Sequence, residues 1–410
     1  MMAKEQKFPK QINQISVHAE NTELGILGKG ARHHFQPVQS ERYVSLTMTR
    51  PTLDGYSSGA LHPIFSQNLP EGFNRRYIAE KLARYAKVDD MYLLALQGDH
   101  GIGRLQYHSI LALPEVEQLS LSDILHYQGE SPLFPQLLEK YYLRNGLAGV
   151  QPKVSLPNTI TGDTGRTMEQ KDLIVKSHDP EFPLLTVNEY VCMEAARYCG
   201  LEPPKAYLAE DLNTFVVERF DKPNGVCLGY EDFTTLMKKP NTPDGKYNGS
   251  YEALLKAVNL YTNSVDEISK MYRYIVFNCL IGNGDAHLKN FALQYSDDMQ
   301  TIFVSPPFDI THTLIYDTID NNMALKMAGS TAFPDFTTLL KLAESPYFKI
   351  RNAKSIIEQT AEDILTYLDK SNEVNLMKGL KTSIQNSVSH VMRHQPLTEK
   401  YRHTKHRKFP

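Results

Sequence analysis

Apolar residues recur every three to four positions at Val265, Ile268, Met271, Tyr272, Ile275, Val276 and Cys279, the spacing that buries one face of a helix. Gly282 and Gly284 follow and predict its end, because glycine accepts backbone angles that other residues resist. Phe291, Leu293 and Tyr295 then alternate, Ser296-Asp297-Asp298 turns the chain, and Ile302 and Val304 alternate again. That pattern predicts a hairpin delivering Pro306-Pro307-Phe308-Asp309. Upstream, residues 1–40 alternate weakly around Gly25, Gly28 and Gly30, residues 43–49 alternate as a strand, 63–95 read mainly as helix, and 101–107 return to a strand. A small mixed α/β unit over about 1–110 follows from this, with the acidic stretch 114–140 as a helical connector.

A second unit begins near Tyr142. Strands are predicted at 154–156 and 172–176, and a helix at 186–199 that stops at Gly200 and Pro203-Pro204. Residues 207–210 and 215–220 form a hairpin around 211–213. Beyond 230 the pattern is mostly helical, over 231–238, 250–260, 335–344, 352–369 and 373–393.

Composition narrows the function. At 410 residues two or three units are expected, and a net charge of −3 argues against a general nucleic-acid or membrane-surface binder. No apolar run approaches membrane-spanning length and no secretory signal opens the chain. Cys192, Cys199, Cys227 and Cys279 lack metal-ligand spacing and read as reduced core residues of a cytoplasmic protein. The tail after Glu399 carries Lys400, Arg402, Lys405, Arg407 and Lys408; such an end is more often solvated than a nucleic-acid contact.

The chemistry is concentrated at 285–309. Asp285 sits on a loop after a rigid helix, and Asn290 follows five residues later. Phosphoryl transfer to a hydroxyl needs a carboxylate near the acceptor and an oxygen ligand for magnesium, and the protein-kinase catalytic loop uses this spacing. Asp309 then stands where a kinase keeps a second magnesium carboxylate. Lys176 closes an apolar strand and either reaches phosphates as a point charge or is a solvated strand end. Glu189 either closes a capping box with Thr186 or pairs with Lys176. Glu218, Arg219 and Phe220 offer backbone groups and an apolar ring to an adenine, and Asp221 a carboxylate to a ribose; a surface pair at a strand end is the plainer reading of Glu218 and Asp221.

Together these stretches resemble the HipA family of bacterial serine/threonine kinases, the toxin halves of toxin–antitoxin pairs. Gly146-Leu-Ala-Gly-Val-Gln-Pro-Lys153 looks like the family's Gly-rich loop; Asn188–Met193, Val217–Asp221 and Gly284–Phe291 look like its other signatures, and Asn68–Gly72 like a segment of its N-terminal subdomain. The resemblance implies an α+β, two-lobed protein-kinase-like fold, with an N-terminal subdomain over 1–125, an N-lobe-like part over 140–221 and a mostly helical C-terminal lobe over 222–410. It implies Asp285 as catalytic base, and Asn290 and Asp309 on Mg2+. ATP would lie against Ala148, Gly149, Val150, Gln151, Pro152, Lys153, Lys176, Glu218, Arg219, Phe220, Asp221, His287, Leu288, Lys289, Asn290, Phe308 and Asp309. The implied partner is a small helix-turn-helix antitoxin, through which alone DNA is met, and the implied acceptor is a protein such as an aminoacyl-tRNA synthetase. One departure is plain. Family members commonly carry a serine at the Gly146 position, the site of inhibitory autophosphorylation, whereas here no hydroxyl occurs between Arg144 and Lys153.

Two rivals share these residues. Asp285-x-His287-x-x-Asn290 also resembles the loop of aminoglycoside and choline kinases, which phosphorylate small molecules. A catalytically silent scaffold assisting a repressor is the other, and intact Lys176, Asp285, Asn290 and Asp309 argue against it.

Overall fold

The computed structural model describes residues 8–38, 42–48, 55–113, 119–144, 147, 151–157, 159–160, 169–170, 172–240, 242 and 244–393. The chain divides into two compact units, one of 1–177, 221–231 and 295–300, the other of 178–220, 232–294 and 301–410.

In the first unit an antiparallel sheet has the strand order Tyr56–Ser58, His33–Pro37, Thr22–Lys29, Gln14–Ala19, Leu105–His108. Period-two patterning sends Ile15, Val17 and Ala19 inward from one strand, where they join Leu27, Phe35 and Tyr107. The helices Pro63–Ser66, Gly72–Leu82 and Asp90–Gln97 cover that face with Phe65, Ile78, Met91 and Leu94. The single helical run expected over 63–95 is thus three helices. Pro70 breaks the first junction. At the second, the Asp89 side chain accepts from Tyr92 N at 3.0 Å and starts a new helix. The strand expected at 43–49 is instead a turn, closed by a single bridge between Ser45 and Met48; residue 49 lies outside the described residues. Ser45 Oγ accepts from Thr47 N and Met48 N at 3.2 and 3.0 Å, a local bond that replaces strand pairing.

The same unit holds the antiparallel pair Lys153–Leu156 and Leu173–Ser177. Glu231, expected in a helix, lies on the strand Gly229–Asp232 and is fully buried. Its carboxylate takes hydrogen bonds from Leu46 N (2.6 Å), the Thr47 hydroxyl (2.8 Å) and the Tyr295 hydroxyl (2.9 Å). The short helix Phe233–Leu236 starts only after it, with Asp232 Oδ1 capping Thr235 N at 2.8 Å.

The second unit is built on the helix Val265–Ile281, which packs against Tyr251–Thr262, Ala353–Lys370 and Leu380–Val391. Its apolar face is the expected one except at its start, where Val265 is 69% exposed. Further along, Tyr274, Phe277, Asn278 and Leu280 are buried as well, so the C-terminal half is enclosed nearly all round. Among the described residues three hairpins accompany it: Ala206–Leu208 with Thr214–Glu218 and Ala292–Tyr295 with Ile302–Val304, both expected, and Asn322–Met327 with Ser330–Ala332, which the pattern did not predict. The helix Leu185–Tyr198 also differs at its start. Left-handed Leu184 is its N-cap, and the Thr186 hydroxyl donates to Leu212 O, so no capping box joins Thr186 to Glu189. The 373–393 stretch is broken by Gly379 (φ +86°) into a turn over Glu373–Leu376 and the helix Leu380–Val391.

Candidate active site

The helix Val265–Ile281 ends at Gly282 in the left-handed conformation (φ +77°), and Asn283 N returns to Asn278 O at 2.9 Å. The next turn is tied by side chains: Asn283 Nδ2 donates to Asn278 Oδ1 at 2.7 Å, and Asp285 N to Asn283 Oδ1 at 3.1 Å. Gly284 N donates to Thr313 Oγ1 at 2.8 Å, and Thr313 N to Gly282 O at 3.1 Å. No side chain fits at 284, since a Cβ there would meet Thr313 Oγ1 at 2.7 Å and Asn322 O at 2.8 Å. The loop carrying Asp285 is therefore fixed from the helix on one side and from residue 313 on the other.

Asp285 is half-buried, and the Tyr247 hydroxyl reaches its Oδ1 at 3.4 Å. Burial pushes its carboxyl up to about 7; Asp309 adds to the rise, while Lys246 and the Tyr247 bond oppose it. His287 is buried, and burial, assisted by Lys246, holds its imidazole well below the usual value. Asn290 closes the turn, its Oδ1 accepting from His287 N at 3.1 Å. Its Nδ2 donates to Asp309 Oδ2 at 3.0 Å, so the two expected magnesium ligands are in contact.

Asp309 is held at φ +57°, a conformation costly for a residue with a Cβ, and tertiary contacts impose it. The Tyr274 hydroxyl, buried on the long helix, lies 3.0 Å from Phe308 O and 3.3 Å from Asn290 O. It thereby joins the two segments that carry Asn290 and Asp309. Further along, His312 is pinned on three sides. Its Nδ1–H donates to Ile281 O at 2.6 Å, its Nε2 accepts from the Ser383 hydroxyl at 2.7 Å, and its backbone pairs with the Asn188 amide at 2.8 and 2.9 Å. Burial lowers its imidazole to about 4, so the ring stays neutral and keeps one donor and one acceptor.

The remaining expected residues are distributed as follows. The Phe220 and Phe308 rings meet tilted by 33° with centroids 5.5 Å apart, and Gln294 Nε2 donates to Phe220 O at 3.3 Å, which places an apolar surface beside Asp309. Glu218 accepts from the Tyr207 hydroxyl at 2.8 Å and Arg219 is buried. Leu288 is fully buried against Gly249 and serves the core, while Lys289 is half-exposed. In the first unit, Lys153 and Lys176 stand opposite each other in the antiparallel pair, so both buried side chains leave the sheet on one face. Gln151 Nε2 donates to Ser177 O at 2.9 Å and Pro152 O accepts from Ser177 N at 3.2 Å. Asp221 is almost fully buried and accepts from Gly103 N at 2.8 Å. Ala148, Gly149, Val150 and Gly146 lie outside the described residues.

Sequence reading missed Tyr274, His312, Thr313, Lys246 and Tyr247, and named Asn188 only within a family signature, without its contact to His312. Lys246-Tyr247 occupies a loop that reads as merely polar, and its one local signal is Gly245 in the turn.

A family model of the HipA-like C-terminal domain matches residues 145–368, and one of the HipA N-terminal domain matches 15–108. "Putative kinase Y4mE" of Sinorhizobium fredii is 27% identical over 370 residues, covering 82% of this chain and 86% of that protein. "Putative kinase Y4dM" of the same organism is 28% identical over 289 residues, 65% of this chain and 66% of its own length. Among solved structures, HipA from the Shewanella oneidensis complex of HipA, HipB and operator DNA superposes with a TM-score of 0.66 at 19% identity, over 92% of this chain and 96% of that one. That likeness bears out the expected α+β, HipA-like fold. With one family model matching more than half of its length and a second matching its N-terminal part, the chain belongs to the HipA family.

Proposed function

We propose that this protein is an ATP-dependent kinase that transfers the γ-phosphoryl group to a serine or threonine hydroxyl of a protein. The single observation that carries the reading is the set Asp285, Asn290 and Asp309, with Asn290 Nδ2 3.0 Å from Asp309 Oδ2 and Asp285 on a loop fixed from both ends. In the proposed reaction Asp285 takes the proton of the acceptor hydroxyl. The acceptor oxygen bonds to phosphorus as the bond to the ADP oxygen breaks. A carboxyl raised toward neutrality suits a base, because it binds the proton more firmly than a free aspartate does.

The donor set fits magnesium. Carboxylate and amide oxygens are hard ligands, and magnesium is commonly held by one or two protein groups, with phosphates and water completing the shell. Here the Asn290 amide turns its Oδ1 to His287 N and its Nδ2 to Asp309, so it must rotate to present that oxygen. Asn290 and Asp309 would hold it, and it would supply charge neutralisation at the phosphates. Phe220 and Phe308 would flank the adenine, and the family resemblance assigns the phosphates to Lys176. Tyr247, which touches Asp285, also lines an open recess of about 480 Å³ with Lys239, Asp244, Ser250 and Lys326, a polar entry for an acceptor segment.

The partner proposed is a small DNA-binding protein of HipB type, supported by the Shewanella oneidensis complex. The acceptor class implied by the family resemblance is an aminoacyl-tRNA synthetase. No helix among the described residues is long and apolar enough to cross a membrane. Calorimetry of ATP binding with and without magnesium tests the reading. Asp309→Ala should keep the fold and lose most of the magnesium-dependent affinity, and an unchanged affinity in that variant sinks the metal assignment.

A further inference from the structure

Lys246 lies in the tight turn Gly245–Tyr247 and is 8% exposed. The turn is held close: a Cβ on Gly245 would meet Pro240 O at 2.0 Å, and Gly245 N donates to Thr242 O at 3.0 Å. Tyr247 docks it on the catalytic loop. The Tyr247 hydroxyl is 3.4 Å from Asp285 Oδ1, and its ring meets the His287 ring edge-on with centroids 5.5 Å apart. Lys246 itself lies with its ammonium 5.1 Å from the centre of the Tyr247 ring, and among the described residues it makes no ion pair.

Among the described residues no salt bridge holds this ammonium, though it feels Asp285, and a buried lysine is stabilised when an anion arrives beside it. The charges around it point the same way. Asp285 and His287 both feel the Lys246 charge. Asp285 cannot serve as a lasting counter-ion, since its carboxyl must be open to the acceptor. Lys289, on the same loop, is half-exposed.

We propose that Lys246 is a catalytic residue that holds the transferring phosphoryl group through its equatorial oxygens. The inference rests on the kinase reading above and deepens it. As the acceptor oxygen bonds to phosphorus and the ADP oxygen departs, negative charge spreads over those oxygens, and a desolvated ammonium beside them stabilises the transition state more than the ground state. Lys246 gives up no proton in this step, and Asp285 takes the acceptor's. The sequence hid this role because Lys246 lies 39 positions before Asp285, on a separate element.

The test compares magnesium-ADP with magnesium-ADP plus aluminium fluoride, a planar mimic of the phosphoryl group in flight. Calorimetry is run on the full chain as wild type, Lys246→Met, Lys246→Gln and Lys246→Arg, with thermal melting to confirm folding. In the wild type fluoride should tighten binding. In both neutral variants that gain should shrink by about tenfold or more while ADP affinity stays within about twofold, and turnover should fall on the order of 10²-fold. Lys246→Arg should recover a large part of the gain. A folded neutral variant that keeps the full fluoride gain overturns the proposal and leaves the kinase reading standing. A wild type that binds neither ADP nor its fluoride complex removes both.

Discussion

Asp285 faces two demands. The proposed base must be open to its substrate, yet this carboxyl is desolvated and raised to about 7 from 3.8. Between those values the folded protein keeps a proton that the unfolded chain has lost. Stability on this account falls as pH rises through the window, and the penalty is complete above about 7. Asp285→Asn should therefore raise the thermal midpoint at pH 8 and flatten its decline between pH 4 and 8. The same change removes the proposed proton acceptor and should cut single-turnover phosphoryl transfer by about 10²–10⁴ while ATP binding survives. A variant that transfers phosphate at the wild-type rate excludes Asp285 as the base. A midpoint no higher than wild type at pH 8 excludes the burial penalty.

At the scale of elements, the loop carrying Asp285 is held by a clamp of His312, Asn188 and Thr313 around the end of the long helix. Gly282 is its hinge point, since a Cβ there would meet His312 Nδ1 at 2.8 Å and Ser387 Oγ at 2.9 Å. Gly282→Ala should cost about 1–2 kcal/mol for the left-handed backbone alone, and more from the clash. Urea unfolding reads this directly, and a loss below that range means the helix end can relax.

His312 gives the clamp a pH dependence. Its folded pKa, about 4, lies below the 6.5 of a free imidazole, so below 6.5 the unfolded chain binds a proton that the folded one refuses. Its stabilisation is full above 6.5 and is lost as pH falls toward 4, at up to about 1.4 kcal/mol per unit. His312→Asn should be less stable than wild type at pH 7 and lose less stability between pH 6.5 and 4.5. An identical loss in both proteins excludes His312 as the source.

For the whole molecule, a ligand that binds only the folded state stabilises it by mass action. Magnesium-ATP at 100 times its dissociation constant should add about 2.7 kcal/mol, a rise of several degrees in the melting transition. Asp309→Ala should lose most of that rise, and a full rise without magnesium would contradict the proposed metal site. Regulation belongs to this scale too. The stretch from Arg144 to Lys153 has no hydroxyl, so incubation with magnesium and ATP should leave peptides spanning 144–153 unphosphorylated. The off-switch proposed instead is a bound HipB-type protein. Phosphate confined to 144–153 in a mass spectrum refutes the prediction.

The sequence by itself determined what neighbours within a few residues decide. Periodicity marked the helix Val265–Ile281, glycine marked its end, and alternation marked the hairpin after Phe291. The spacing of Asp285, Asn290 and Asp309 was legible because one turn and one hairpin connect them. Tertiary structure decided whatever depends on partners far along the chain. Val265 lies at the exposed start of its helix, and Glu231 is held in a strand by Leu46, Thr47 and Tyr295. Thr186 is drawn off to Leu212, and Asp221 accepts a backbone N–H from Gly103. Asn188 meets His312, and Tyr247 meets Asp285. Each of these contacts joins residues more than 20 positions apart, beyond the range of any local periodicity. A side chain's burial and hydrogen-bond partner are fixed only when such distant segments pack together.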